Sequence, residues 1–151
     1  MGLVSLELDV GNSALKWRLM SEAGRLQGGR VASSPDALRL LLDELSLENV
    51  TDIKVASVGS VERDEPLMHL LATSGLPFKV AVSQSFCSGV RNSYADTSRM
   101  GVDRWLAMVA AFGVCRRACV VVDAGTAILF TFEADDEEER IERGVGRRRS
   151  T

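Results

Sequence analysis

At 151 residues the chain is long enough for one domain with a substantial core, and length alone argues against two complete ones. An apolar fraction of 46% with 5% aromatics suits a soluble α/β protein, and a formal charge of −3 supplies no global field for nucleic acid or an anionic membrane. No apolar run approaches the ~18 residues of a membrane span, no basic n-region precedes an apolar stretch, and Leu6 stands where N-myristoylation needs Ser or Thr, so a cytoplasmic protein is expected.

Residues 3–9 alternate loosely as a strand, with 15–20 and 25–32 as a second and third; Gly11-Asn12 and Ala23-Gly24 are the hairpin turns of an antiparallel meander. Ser34 is a helix N-cap with Pro35 at the first helical position, and Leu38, Leu41, Leu42 and Leu45 give the stripe of a helix packed on a sheet. Residues 52–58 read as a fourth strand, 62–74 as a second helix closed by Gly75, and 77–82 as a fifth strand. Strand thus alternates with helix, as in parallel crossover units.

Residues 86–99 read as loop. A long helix begins near Ser98, with Val102, Trp105, Leu106, Val109 and residues 112–113 on or near one face. Residues 118–123 and 127–133 make one more strand-turn-strand. Beyond Ala134, the acidic block 135–139 and Arg147-Arg148-Arg149 leave too few apolar residues to pack, and a disordered or frayed tail is expected. Cys87, Cys115 and Cys119 form no Cys-x-x-Cys pair and are expected to stay reduced. His69, the sole histidine, is expected on a helix surface or in packing, and its solitude excludes a His-based metal site.

Two segments are near copies. Leu6-Glu7-Leu8-Asp9-Val10-Gly11-Asn12-Ser13 and Val120-Val121-Val122-Asp123-Ala124-Gly125-Thr126-Ala127 are each an apolar run ending in Asp, a spacer, Gly, then Asn or Thr and a small residue. Such self-similarity suggests a duplicated unit. Gly at a strand end allows a tight turn whose peptide N–H groups approach a ligand, and the residue after it adds a donor, an arrangement suited to phosphate. The Asp repels phosphate, so its role there is to hold a cation that the phosphate also touches. Two facing copies would grip a polyphosphate from both sides.

Three elements coincide in order: Asp9-x-Gly11-Asn12-Ser13-x-x-Lys16, Gly101-Val102-Asp103-Arg104 and Asp123-x-Gly125-Thr126-Ala127. With the stretch Gly89-Val90-Arg91-Asn92-Ser93-Tyr94, they closely resemble the type III pantothenate kinases of the acetate and sugar kinase, Hsp70 and actin superfamily, over residues 3 to about 130. The resemblance implies two ribonuclease H-like domains with ATP in the cleft between them, a homodimer, and phosphorylation of pantothenate to 4′-phosphopantothenate, the first step of coenzyme A synthesis. Residue by residue it implies that Asp9, Val10, Gly11, Asn12, Ser13, Ala14, Leu15 and Lys16 form the first phosphate motif, with Asp9 near Mg²⁺. Gly125 and Thr126 match a second ATP contact, and Asp123 the ligand of a monovalent cation, K⁺ or NH₄⁺. Asp103 matches the general base, while Tyr94, Gly101, Val102, Asp103 and Arg104 match pantothenate contacts.

The expected fold is therefore α/β: a ribonuclease H-like domain over 1–116, the opening hairpin of a second over 117–134, and a charged tail over 135–151. Family members continue further, so the resemblance also implies a second domain cut short, weak or absent turnover, and exposure of Val120, Val122, Ile128 and Phe130 unless a partner covers them.

The chemistry agrees independently, since a helix-start carboxylate beside an arginine supplies a proton acceptor and a planar fork for a substrate carboxylate. The same residues also fit plainer roles. Asp103 and Arg104 can be the polar side of an amphipathic helix, Lys16 the exposed member of an alternating strand, Tyr94 a surface aromatic, and Asp9 and Asp123 turn-forming aspartates. The competing function is a non-catalytic binding or transcription-accessory protein on the same fold; three carboxylates at these positions favour the enzyme. The Arg-rich end has no interleaved aromatics and no recognition helix, which leaves a weak nucleic-acid signal.

Overall fold

A computed structural model describes residues 3–117, 119–124, 128–132 and 143–146, divided into a first unit ending at Val82 and a second beginning at Ser83. In the first, β1 (Val4–Val10), β2 (Ala14–Ser21) and β3 (Gly24–Ala32) form the expected meander. Helix α1 (Pro35–Glu44) then leads to β4 (Val50–Ser57), which pairs parallel to β1, and α2 (Val61–Thr73) leads to β5 (Phe78–Val80), parallel to β4. The sheet order is β3-β2-β1-β4-β5.

Alternation along the strands decides which side carries the helices. Leu6, Leu8 and Val10 of β1, Leu15 and Leu19 of β2, and Ile53 and Val55 of β4 are buried with Leu38, Leu41, Leu42 and Leu45 from α1 and its cap, and with Leu67 and Leu71 of α2. Among the intervening residues of β1 and β2, two oppositely charged pairs meet across the strands: Arg18 Nε donates to Glu7 Oε2 at 2.6 Å, and Lys16 Nζ lies 3.6 Å from Asp9 Oδ2. Helix α1 starts as expected, with Ser34 Oγ accepting from the Ala37 N–H at 3.3 Å and Pro35 following. His69 lies exposed on α2.

In the second unit, the stretch read as loop contains a small hairpin, β6 (Phe86–Cys87) and β7 (Val90–Arg91). Its two-residue turn places Ser88 at φ 51° and Gly89 at φ 93°, the left-handed pair that closes such hairpins. A side chain at Gly89 would also strike the Phe112 ring. A 3₁₀ turn at Thr97–Arg99 follows, capped by Asp96, which accepts from the Ser98 N–H and Oγ at 3.1 and 2.6 Å.

Helix α3 (Val102–Cys115) therefore starts after Gly101 rather than near Ser98. Its buried stripe is Val102, Trp105 and Met108, backed by Val109 and Phe112, whereas Leu106, expected on that stripe, is exposed. Trp105 and Met108 pack with Val90 and Met100, which tie the hairpin to the helix.

Strands β8 (Val120–Ala124) and β9 (Ile128–Phe132) form the expected second hairpin, and β10 (Arg143–Gly146), within the stretch read as a tail, pairs antiparallel with β9. Val120 and Val122 are 52% and 55% exposed, as expected from the sequence, while the side chains of Ile128 and Phe130 lie outside what the structure describes. Cys87, Cys115 and Cys119 form no disulfide.

Candidate active site

The first motif occupies the link between β1 and β2. Asp9 and Lys16 face one another across the antiparallel ladder, and the Gly11 N–H donates to Ala14 C=O at 3.0 Å, closing the turn over Asn12 and Ser13. A Cβ at Gly11 would stand 2.9 Å from that same carbonyl oxygen, so the tightness of the turn depends on glycine. The Lys16 and Asp9 side chains are 69% and 57% exposed, and an ion pair so open to water is weak, which leaves both ends free to re-pair with a phosphate and a cation.

One arm of this turn was not legible in the motif. Asn12 Oδ1 accepts from Arg63 Nη1, and Arg63 in turn binds Asp64 and Ser57. Asp64 is buried on the side of α2 that carries Leu67 and Leu71. A carboxylate at an i, i+3, i+7 apolar position was the available signal for this group.

The second motif sits at the start of α3, in the other unit. Gly101 caps the helix without a side chain, and Asp103 Oδ1 accepts from the Arg104 N–H at 2.7 Å. A Cβ at Gly101 would come within 2.6 Å of that carboxylate oxygen, so glycine lets the carboxylate fold back over the helix end. Asp103 is exposed to solvent. Arg104 is half-buried; its Nη1 lies 3.5 Å from Tyr94 Oη, and its buried Nε has no hydrogen-bond partner among the described residues. An unmet guanidinium donor beside a phenol is suited to an acidic ligand.

The structure thus brings Asp9, Gly11, Asn12 and Lys16 together in one unit, and Tyr94, Gly101, Asp103 and Arg104 together in the other. Asp123 is the penultimate residue of β8, with its backbone opposite Leu129, while Gly125 and Thr126 lie outside the described residues. No cluster of three metal-ligating side chains occurs among the described residues. A lone exposed carboxylate such as Asp9 nevertheless fits Mg²⁺, which commonly takes one or two carboxylates and completes its shell with substrate phosphates and water.

The model of the type III pantothenate kinase family matches residues 5–140. The chain belongs to that family. Type III pantothenate kinases similar to it include that of Pseudomonas aeruginosa, 38% identical over 135 residues that cover 87% of this chain and 53% of the relative. That of Pseudomonas putida is 39% identical, with coverage of 88% and 54%. That of Pseudomonas savastanoi pv. phaseolicola is 42% identical over 131 residues, with coverage of 84% and 52%. The chain spans about half the length of the curated relatives it matches.

Among solved structures, an Aquifex aeolicus member of the Ppx/GppA family is similar at a TM-score of 0.54 and 12% identity, over 95% of this chain and 51% of that one. The ethanolamine utilization protein EutJ from Carboxydothermus hydrogenoformans is similar at 0.51 and 13%, over 94% and 52%. These likenesses bear on fold alone, and the fold is the ribonuclease H-like α/β class expected from the sequence. Every motif residue of this pantothenate kinase family member, from Asp9 to Thr126, falls inside the family match.

Proposed function

We propose that this chain carries the acceptor site and the first phosphate site of a kinase that transfers phosphate from ATP to pantothenate, giving 4′-phosphopantothenate for coenzyme A synthesis. The observation that carries the reading is the α3 start, where an exposed Asp103 adjoins an Arg104 whose Nε is buried and unmatched, inside a family match spanning residues 5–140. Phosphoryl transfer to an alcohol depends on positioning and charge neutralisation, with a base to accept the hydroxyl proton. Asp103 takes that proton. Arg104, with Tyr94 and the backbone at Gly101 and Val102, holds the pantothenate carboxylate so that the hydroxyl faces Asp103.

On the nucleotide side, the N–H groups and side chains of residues 10–15 and the Lys16 ammonium bind the phosphates, and Asp9 would hold Mg²⁺. When bound, Mg²⁺ supplies charge neutralisation on the phosphate oxygens. Gly125 and Thr126 belong to a second phosphate contact, and Asp123 to a K⁺ or NH₄⁺ site. The working protein in this reading is a cytoplasmic homodimer.

Calorimetric titration with pantothenate tests the acceptor site. Arg104→Ala removes a charge-assisted contact of about 1.5–3 kcal/mol, so affinity should fall by roughly tenfold or more. Unchanged affinity would remove Arg104 from the site.

A further inference from the structure

Behind the β1–β2 turn lies a set of polar groups to which none of the three motifs assigns a role. Asp64, 8% exposed, is held from both sides: Ser57 Oγ donates to its Oδ2, and Arg63 donates through Nε and Nη2 to its Oδ1, both at 3.1 Å. Arg63 Nη2 also lies 3.4 Å from Ser57 Oγ, and the Gly59 N–H donates to that oxygen at 3.1 Å. Gly59 is what makes room, because a Cβ there would collide with the guanidinium and with Asp64. The planar fork is therefore fixed in one place, with Nη1 directed at Asn12 Oδ1.

A guanidinium has no acceptor, so the Asn12 group that faces it must be the carbonyl oxygen, which turns the two Nδ2 donors away from Arg63. Asn12 is exposed at the tip of the turn, where those donors can meet an anion. We infer that Arg63 is a positioning residue for phosphate: braced by Asp64 and Ser57 over Gly59, it sets the Asn12 amide with its N–H groups outward. The inference rests on the phosphate role proposed for residues 9–16.

Two measurements on the full chain separate this role from that reading. The first follows the Asn12 side-chain amide signals by NMR without nucleotide, assigned by their loss in Asn12→Ala. Arg63→Ala and Gly59→Ala should both move them toward the position of a freely solvated amide, and Arg63→Lys should move them less. The second titrates MgATP. Arg63→Ala should weaken binding about tenfold when Asn12 is present and less than about twofold in the Asn12→Ala background, since a residue acting through another adds nothing once that partner is gone.

Unmoved Asn12 signals would overturn the inference. So would an equal loss in both backgrounds, which would make Arg63 a direct phosphate contact. If the parent chain fails to bind MgATP, the phosphate reading falls, and the amide signals still decide whether Arg63 orients Asn12. Should Arg63→Ala fail to fold because Asp64 is left uncompensated, Arg63→Lys and Gly59→Ala carry both measurements.

Discussion

Asp103 and Arg104 are neighbours in sequence with opposite surroundings, one carboxylate in water and one guanidinium half inside. Gly101 bears on Asp103 through space alone. Its backbone, at φ −57° and ψ 135°, suits any residue, so Gly101→Ala carries no conformational penalty; the added methyl meets only the Asp103 carboxylate. Thermal stability of Gly101→Ala should stay within about 1 kcal/mol of the parent while turnover falls roughly tenfold, because a displaced base is a mispositioned one. Parent-like kinetics in a folded Gly101→Ala protein would mean that the carboxylate's place over the helix end does not matter.

Among the elements, α1 and α2 hold the β1–β2 turn by packing on the strands that end there. Leu38 is fully buried between α1 and the sheet, so Leu38→Ala should cost about 2–5 kcal/mol in denaturant unfolding. The α2 N-terminus adds a pH dependence. The Glu62 carboxyl is lowered from its ordinary value by a hydrogen bond from its own backbone N–H and by another from Ser60. A lowered folded-state value stabilises above the unfolded value and is lost as pH falls through the lowered one. Melts between neutral pH and pH ~3 should therefore show a smaller acid loss in Glu62→Gln than in the parent; identical losses would exclude a contribution from Glu62.

The elements with strong local signals were legible in the sequence: the meander with its turn at Gly11, the leucine-striped α1 and the helix α2 all rest on local pattern. What escaped had other causes. Strands β6 and β7 are two residues each, below any period, and are fixed by a Ser-Gly turn and by packing on α3. The start of α3 was displaced because Asp96 caps a 3₁₀ turn that ends at Met100, and Gly101 then begins the helix anew. The Arg63 brace joins residues 51 positions apart, a separation at which no local pattern speaks.

At the scale of the whole molecule, the family match runs through both units, and the motifs divide between them, the proposed phosphate turn in the first and the proposed acceptor residues in the second. In the function proposed above, these are parts of one pantothenate kinase, with Asp103 as its base. Pantothenate-dependent ADP release, measured with MgATP and K⁺ on the parent and on Asp103→Asn, tests it most directly. Any measurable release should require pantothenate and fall by roughly 10²-fold or more in Asp103→Asn, with pantothenate binding retained. Release that ignores pantothenate, or an Asp103→Asn protein as active as the parent, would contradict it.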